Sequence, residues 1–273
     1  MEEAIALHFV ENDFLGGVLL WRNPRSVVMG ISQDIHSVVI PEAIEAWKLQ
    51  MENQLYNKHH KQKKQFLKFA GPDFLYIARR SSGGGTVYQT STENLNFSLF
   101  CNLKLRQDLF PVAHSYETLL GFVISALKKQ NISASLNGKS DLAMETNSVF
   151  QKFSGNAQFR KKNCLVHHGT LILDSHLIEE SAKVLLHPPE EPEYRKKRSH
   201  KDFLKPLPNS FDAKLFQKDL SNSFREFLGE ENTELVKMEE MKRSPLGMQV
   251  KRKTVQLWKN KFANLEFILE KKL

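Results

Sequence analysis

The sequence RRSSGGGTVYQ at residues 79–89 places three consecutive glycines directly after two arginines and two serines. Apolar and aromatic runs at 74–78 and 94–100 flank it, and both runs predict strands. A plain hairpin turn needs only one or two glycines. Three glycines allow a ligand to approach the backbone closely, and the arginines could donate to a phosphate or a carboxylate. These residues alone are equally consistent with a ligand site and with a plain glycine-rich turn that carries two surface arginines.

The composition is that of an ordinary globular chain, with 273 residues of which 41% are hydrophobic and 26% charged. This length suits one large domain, or one domain with an appendage. No run approaches the roughly 18 consecutive apolar residues of a membrane helix, and the N-terminus lacks a signal-peptide pattern. The chain has only two cysteines, Cys101 and Cys164, which favours a reducing compartment. We therefore expect a cytoplasmic protein with no membrane association.

The net charge of +8 is concentrated in three basic runs, at 58–64, 195–201 and 251–253. Runs of this kind usually form solvated loops or helix faces. No zinc-finger spacing or RNA-binding signature accompanies them, so no nucleic-acid partner is predicted. A basic surface also suits an acidic protein partner or a nucleotide.

Strand and helix patterns alternate along the chain, which indicates a mixed sheet with flanking helices. Residues 17–21 and 26–30 are predicted to be two strands joined by a turn at Asn23-Pro24. Apolar residues share one face of a predicted helix over 115–129, with Ser115 as its N-cap. The next predicted elements are a helix at 41–65, a strand at 169–173 and a helix at 175–186. A proline-rich break at 187–192 is followed by a basic segment that is predicted to be exposed. Two further helices are predicted, one over 215–227 that ends at Gly229 and a last one whose apolar residues from Val255 to Leu269 pack in the core.

Two further motifs favour a ligand site over a simple turn. QKFSGNAQFR at 151–160 puts Lys152 two residues before Ser-Gly-Asn-Ala, so an ammonium group would lie beside a second close backbone approach. NGKSDL at 137–142 offers the carboxylate of Asp141 in a turn. Together the motifs supply cations, glycine-lined backbone and one candidate magnesium ligand. That is the set needed to bind a nucleotide and a carboxylate substrate together.

The ordered set RRSSGGGTVY, NLNFS, KFSGNAQ and HHGTLIL resembles the lipoate–protein ligase family, which is related in fold to the catalytic domain of biotin–protein ligases. The resemblance implies an α+β catalytic domain over 1–228, built of mixed, mainly antiparallel β-sheets flanked by α-helices. Residues 41–70 would be an insertion in it. Residues 229–273 would form a helical C-terminal extension, without the full accessory domain that many bacterial ligases carry.

The resemblance also implies a two-step reaction. Lipoate attacks the α-phosphate of ATP with Mg²⁺, giving lipoyl-AMP and pyrophosphate, and a lysine of an acceptor lipoyl domain then takes the lipoyl group as an amide. The implied acceptors are the lipoyl domains of 2-oxoacid dehydrogenase E2 subunits and the H protein of glycine cleavage. We expect the enzyme to be a monomer.

The motif match further implies the role of each site residue. Lys152 is the expected catalytic residue, contacting both the carboxylate and the α-phosphate, and Asp141 is a candidate ligand of Mg²⁺. Residues expected at ATP, together with Lys152, are Arg80, Gly85, Thr86, Val87 and Tyr88. Residues expected at lipoate, again with Lys152, are Arg79, Ser82, Gly83, Gly84, Gly155, Asn156 and Ala157.

The chain departs from the family pattern in ways that leave alternatives open. Lys139-Ser140 stands where Arg-Asn usually precedes the aspartate, and Gln89-Thr90 replaces His-Asp after the aromatic residue. The basic segment 194–205 fits the family's lysine-containing adenylate loop only loosely. One alternative is a lipoyltransferase that uses preformed lipoyl-AMP. Another is a non-catalytic binding protein.

A third alternative is an octanoyl or lipoyl acyltransferase, which would carry the acyl group on a cysteine. Cys101 is predicted to be buried on a strand, and Cys164 to lie in the loop before His167, and neither matches the position those transferases use. His167 and His168 are expected to begin a strand and to point to opposite faces. They would therefore be poor joint ligands for one metal ion.

Overall fold

The structure is a computed structural model, and it describes residues 1–59, 74–229, 240 and 243–271. The predicted helix at 41–65 and the predicted insertion at 41–70 both extend beyond residue 59, and those parts lie outside the described residues. The division into a domain over 1–228 and an extension over 229–273 stays a prediction.

The strands of the described chain form two sheets. In chain order they are β1 (Gly16–Trp21), β2 (Ser26–Met29), β3 (Tyr76–Arg79), β4 (Val87–Gln89), β5 (Asn94–Asn102), β6 (Ser135–Asn137), β7 (Asp141–Thr146), β8 (Val149–Lys161) and β9 (Cys164–Ile172). The larger sheet has six strands in the order β1-β5-β9-β8-β7-β6, each antiparallel to its neighbours. The smaller has three, in the order β3-β2-β4, with β2 parallel to β3 and antiparallel to β4. The predicted mainly antiparallel architecture is confirmed.

Helices flank both sheets in the described residues. In chain order they are α1 (Glu2–Glu11), α2 (Ile35–Val38), α3 (Pro41–His59), α4 (Val112–Lys128), α5 (Ser175–Ala182), α6 (His200–Phe203), α7 (Ala213–Leu228), α8 (Pro245–Leu257) and α9 (Leu265–Glu270). A π-helical turn over Trp258–Phe262 lies between α8 and α9. None of these described helices has the length and apolar character needed to span a membrane.

One face of the six-stranded sheet packs against α4 and α7. The fully buried side chains of this layer include Leu119, Leu120, Val123 and Leu127 of α4, Phe216 and Leu220 of α7, and Phe97, Leu99 and Leu171 of the sheet. Burial of a large apolar side chain is worth about 1.5–3 kcal/mol relative to exposure. On the opposite face, one part packs against α1 and α8 through a third apolar cluster that includes Leu19, Phe100 and Val166, and the remainder carries polar residues.

A second apolar cluster holds the three-stranded sheet against helices. Val27 of β2 and Ile77 of β3 pack with Ile44 and Trp47 of α3 and with Ile178 of α5, all of them buried. The small sheet is thereby fixed over the polar face of the large one, and a cleft remains between them.

The two predicted strands around Asn23-Pro24 exist, but they do not pair with each other. β1 pairs with β5 in the large sheet, whereas β2 pairs with β3 and β4 in the small one. The turn therefore carries the chain from one sheet to the other. The glycine run, in contrast, connects two strands of the small sheet, β3 and β4. β4 is a short strand that the sequence analysis did not predict.

Two predicted boundaries inside the large domain are wrong. α4 begins at Val112 after Pro111, so Ser115 lies within the helix, where its hydroxyl donates to the Val112 carbonyl at 2.8 Å. β9 begins at Cys164. Cys164 is therefore on a strand and not in a loop, and His167 lies in the middle of that strand.

The predicted continuous helix at the C-terminus is interrupted. The π-helical turn at Trp258–Phe262 changes the direction of the apolar stripe, and Val255 and Leu265 are exposed at 44% and 45%. Phe267 and Ile268 are buried instead. Gly229, with a φ of +90°, ends α7 as predicted.

Candidate active site

A row of residues crosses the polar face of the six-stranded sheet. Asp141 pairs with Gly155, and Gly155 pairs with Thr170. Thr170 pairs with Asn96, and Asn96 pairs with Trp21. Side chains that are directly opposite on neighbouring strands point to the same face, so these positions form a continuous floor. Gly155, in the row, leaves space above the sheet.

Gln89 of β4 joins the small sheet to this floor. Its amide donates to Asn96 Oδ1 and to Thr170 Oγ1, each at 2.9 Å, and the Thr170 hydroxyl donates to Asn96 Oδ1 at 2.7 Å. Gln89 and Asn96 are both buried. The three side chains satisfy one another and set the distance between the two sheets at the strand that follows the glycine run.

Arg80 shapes the glycine run from within. Its guanidinium donates to the carbonyls of Gly83 and Gly85, both at 2.7 Å, and to the Val28 carbonyl at 3.0 Å. Its Nε donates to Ser82 Oγ at 2.8 Å. Burial lowers the pKa of Arg80 to about 10, so the group stays protonated at neutral pH. The arginine thus places one positive charge beneath an ordered loop.

Two glycines are needed where this loop passes close to other backbone. Gly84 has a φ of +82°, a left-handed conformation that favours glycine. A Cβ on Gly30 would lie 2.1 Å from the Gly84 carbonyl oxygen, which is too close for any side chain. Beside Gly83 and Gly85, in contrast, a Cβ would meet no atom of the described residues within 4 Å. The loop therefore presents open space on one side.

Lys152 and Asp141 form an ion pair above the floor. Lys152 Nζ lies 2.8 Å from Asp141 Oδ1, and their side chains are 25% and 12% exposed. The Tyr194 hydroxyl donates to the other carboxylate oxygen, Oδ2, at 2.9 Å. Burial, together with the neighbouring carboxylate, raises the pKa of Tyr194, so its hydroxyl remains a donor. A Cβ on Gly155 would lie 3.0 Å from Lys152 Nζ, so the glycine makes room for the ammonium group.

The segment that follows the proline-rich break forms another wall of the cleft, and it is not simply exposed as predicted. Arg195 is 5% exposed, lies over the Phe203 ring at 4.8 Å and ion-pairs with Glu191 at 3.4 Å. Its Nη2 is buried and has no hydrogen-bond partner among the residues that the structure describes. Burial lowers the pKa of Arg195, and burial and the charge of Arg195 lower the pKa of His200 to about 4.

The cleft between the sheets consists of two adjoining cavities of about 730 Å³ and about 150 Å³. The larger is bounded by the Tyr194 wall and by apolar residues of α5, and the smaller by Trp21 and Ala157. Lys152 lines both cavities. It shares that position with Gly84, Gly85, Thr86, Val87, Ser140, Asp141, Gly155 and Thr170.

A family model of the lipoyl protein ligase A/B catalytic domain matches residues 1–226. The chain belongs to the lipoyl protein ligase A/B catalytic-domain family. The match includes both sheets, the glycine run and the Lys152 strand, so the predicted family is confirmed.

Curated relatives of the lipoyl protein ligase domain match parts of the chain. Lipoate-protein ligase LplJ of Bacillus subtilis is 35% identical over 108 residues, which is 40% of this chain and 30% of the relative. Lipoate-protein ligase A of Blochmanniella floridana is 27% identical over 174 residues, 64% of this chain and 41% of the relative. The matched part thus spans less than half the length of these relatives.

Solved structures of lipoate-protein ligases share the fold. A bi-partite lipoate protein ligase from Thermoplasma acidophilum, studied with its E2 lipoyl domain, superposes with a TM-score of 0.63 at 17% identity, covering 98% of this chain and 92% of that one. A lipoate-protein ligase A bound with ATP gives 0.59 at 17% identity, covering 97% and 92%. The predicted ligase-like α+β fold is confirmed.

Most of the residues predicted for the ligase site line the cleft. They are Arg80, Gly84, Gly85, Thr86, Val87, Tyr88, Asp141, Lys152, Gly155, Asn156 and Ala157. Three predicted lipoate contacts do not line it. Ser82 is 1% exposed and bonds to His168 Nε2 at 2.7 Å, and the Gly83 carbonyl accepts from Arg80. Arg79 is 2% exposed and points away from the cleft.

Several residues in and around the cleft were not predicted from the sequence. Tyr194 and Arg195 lie in a segment whose motif fit was loose, and Glu2 lies in an N-terminal region with no motif. Glu2 Oε1 lies 2.8 Å from His168 Nδ1, so His168 connects α1 to Ser82 and the glycine run. The alternation of side chains along the predicted strand HHGTLIL did indicate that His167 and His168 point to opposite faces of the sheet. His167 is fully buried in the apolar core, where burial lowers its pKa to about 3.

Both cysteines of the ligase domain are fully buried, away from the cleft. Cys101 and Cys164 lie at the far ends of β5 and β9 and are 0% exposed. Burial raises the pKa of Cys101 and raises that of Cys164 to about 12, so neither thiol ionises near neutral pH. A thiolate is the nucleophilic form of cysteine. Neither residue therefore has the exposure or the charge state of an acyl carrier.

The residues around Asp141 do not fit a preformed magnesium site. Both of its carboxylate oxygens already have partners, Lys152 on one and Tyr194 on the other. Across the ranges that the structure describes, no three His, Cys, Asp or Glu side chains come together as metal ligands. Mg²⁺ is usually bound through one or two carboxylates together with substrate phosphates and water molecules. We therefore do not assign Asp141 as a ligand of magnesium.

Proposed function

We propose that this chain is an ATP-dependent lipoate–protein ligase that makes lipoyl-AMP and transfers the lipoyl group to a lysine of an acceptor lipoyl domain. The observation that carries the proposal is the position of Lys152, which lies at the junction of two cavities and opposite a glycine loop held by Arg80. Family membership and the ligase fold agree with it.

In the first step, a lipoate carboxylate oxygen forms a bond to the α-phosphorus of ATP, and the bond from that phosphorus to the bridging oxygen breaks as pyrophosphate leaves. Both reactants are anions, so positive charge must lie between them. Lys152 supplies an ammonium group at that place, and Arg80 a second cation behind the loop. Holding the two substrates in line supplies part of the rate as proximity.

The two cavities suit the two substrates. The larger has room for the nucleotide, with Thr86, Val87 and Tyr88 along one side. The smaller has Trp21, Val28, Val87 and Ala157 in its lining, alongside polar residues, and the proposal places the acyl chain of lipoate against them. Magnesium enters as part of the Mg²⁺–ATP substrate, carried by the phosphates.

In this proposal Asp141 holds Lys152 in position until a substrate anion arrives. The ammonium group has three donors, so it can keep Asp141 on one and take the carboxylate and the α-phosphate with the others. Tyr194 donates to the second oxygen of Asp141 and stops that carboxylate from turning towards the incoming anions.

In the second step the acceptor lysine, as the neutral amine, attacks the carbonyl carbon of lipoyl-AMP, and the bond to the phosphate oxygen breaks as AMP leaves. The proposed acceptors are lipoyl domains of 2-oxoacid dehydrogenase E2 subunits and the glycine cleavage H protein. The Thermoplasma ligase studied with its E2 lipoyl domain supports this partner class. A cytoplasmic location and a monomeric enzyme remain predictions from the sequence.

The test is to incubate the purified chain with lipoate, Mg²⁺ and an acceptor lipoyl domain, with and without ATP, and to measure the acceptor mass. A lipoyl mass increase that requires ATP is the expected result. Modification only with supplied lipoyl-AMP would replace the proposal with a lipoyltransferase. If the acceptor were modified neither with ATP nor with supplied lipoyl-AMP, that result would contradict both the ligase and the lipoyltransferase assignments.

A further inference from the structure

The residues that lead into the glycine run point alternately to two sides. Arg80 donates to Ser82 and to the Gly83 carbonyl, and Ser82 bonds to His168, so both side chains lie towards the large sheet. Arg79 and Ser81 point to the opposite side, towards residues 258–271, here called the C-terminal segment. An extended chain has this alternation, so the same short stretch can bind substrate on one side and be anchored on the other.

Arg79 is anchored by main-chain carbonyls. It donates to Phe267 O at 2.9 Å and to Ile268 O at 2.7 Å, at the end of α9. It also donates to Gly30 O at 3.0 Å and to Gln33 O at 2.6 Å. The last carbonyls of a helix lack intrahelical partners and attract a cation. The guanidinium is thus fully used in joining the C-terminal segment to the start of the loop.

Ser81 is held by a second set of contacts. Its hydroxyl donates to Glu3 Oε2 at 2.6 Å, and Lys261 Nζ lies 3.0 Å from the same carboxylate oxygen and 3.1 Å from Ser81 Oγ. The Glu3 side chain is 3% exposed and that of Lys261 is 15% exposed. A carboxylate buried to this degree depends on its partners, so removing one is expected to loosen the group.

The C-terminal segment is itself packed in place. Phe267 and Ile268 are 1% and 6% exposed, and Ile268 belongs to the apolar cluster under the small sheet. Of the described residues of this segment, none lines either cavity of the cleft. Among the described residues, the hydrogen bonds that join it to the start of the glycine run are made by Arg79 and Ser81.

We propose that the C-terminal segment is a positioning element of the substrate cleft, acting through Arg79 and through the Ser81–Glu3–Lys261 group. It holds the backbone of the loop whose glycines face the nucleotide and beneath which the Arg80 charge lies. Arg79 and Lys261 are positioning residues and touch no substrate. The inference rests on the proposed function only for its kinetic consequence, since the contacts themselves are independent of the reaction.

The test compares Lys261→Met with Lys253→Met in the full chain. Lys253 also joins the C-terminal region to α1, through an ion pair with Glu11, but it contacts neither Ser81 nor Arg79. Hydrogen–deuterium exchange is measured on peptides that cover residues 79–89, and the KM for ATP in lipoyl-AMP formation is measured beside it. Ser81→Ala is a milder second variant that removes the link from the loop side.

The proposal predicts faster exchange at 79–89 for Lys261→Met and Ser81→Ala, with no change for Lys253→Met. It also predicts a KM for ATP raised about 5- to 20-fold, with kcat changed less than about threefold, and recovery in Lys261→Arg. The proposal would be overturned if hydrogen–deuterium exchange at 79–89 and the KM for ATP equalled those of the wild type in both Lys261→Met and Ser81→Ala. It would also be overturned if Lys253→Met changed them as much as the test variants do. If the wild type formed no lipoyl-AMP, the proposed function would fail, and the exchange data would still decide whether the segment holds the loop.

Discussion

Replacing Lys152 with methionine removes the charge that the proposed reaction needs and leaves a side chain of similar length. Two unit charges about 4 Å apart interact by about 4 kcal/mol at an effective dielectric constant of about 20. Losing one such interaction with the transition state corresponds to about 10³ in rate. The variant also leaves Asp141, with its side chain 12% exposed, bonded to Tyr194 alone. That unpaired carboxylate would repel both anionic substrates.

The assay is single-turnover formation of lipoyl-AMP, with thermal unfolding measured in parallel. Lys152→Met is expected to lose at least about 10³ in rate. Adding Asp141→Asn to that variant removes the repulsion and is expected to recover about tenfold, which a simple loss of a binding group would not show. If Lys152→Met alone stayed folded and kept more than a tenth of the wild-type rate, that result would refute the assignment of Lys152 as the catalytic residue.

Three other predictions test the surroundings of the site. Gly155→Ala places a Cβ 3.0 Å from Lys152 Nζ, so kcat should fall by about 10- to 100-fold with little change in unfolding temperature, and an unchanged kcat would show that the ammonium position is not critical. Cys101→Ala and Cys164→Ala should each form lipoyl-AMP and lipoylate the acceptor at near wild-type rates, and loss of transfer in either would revive a thioester route. Burial would raise the pKa of Glu3, but hydrogen bonds from Ser81, Lys261 and Lys161 lower it below 4.5. The stability that Glu3 contributes is therefore present above about pH 4.5 and is lost as the pH falls below that value. Glu3→Gln should flatten the decline of unfolding temperature between about pH 5 and 3. An unchanged slope of unfolding temperature against pH would contradict this.

The motifs located one wall of the cleft because each places a distinctive residue type at a fixed spacing. Lys152, Gly155 and the glycine run could be found this way, and the structure brings them together. The register that puts Asp141, Gly155 and Thr170 in one row could not, because pairing between distant strands is set by the folded sheet.

The errors have local physical causes. Arg79 and Arg80 are neighbours on an extended chain, so they must face opposite sides, but the sequence does not say which side holds the ligand. Ser115 resembled an N-cap, yet Pro111 already provides the start of the helix. Tyr194 reaches Asp141 from 53 positions away through a loop that has no periodic pattern.

The central claim is that this cleft joins lipoate to AMP, and lipoate-dependent exchange of labelled pyrophosphate into ATP tests it most directly. The exchange requires formation and reversal of the adenylate and needs no acceptor domain. We predict exchange that depends on lipoate and Mg²⁺ in the wild type and is reduced at least about 10³-fold in Lys152→Met. Binding of both lipoate and ATP with no exchange in the wild type would contradict the account.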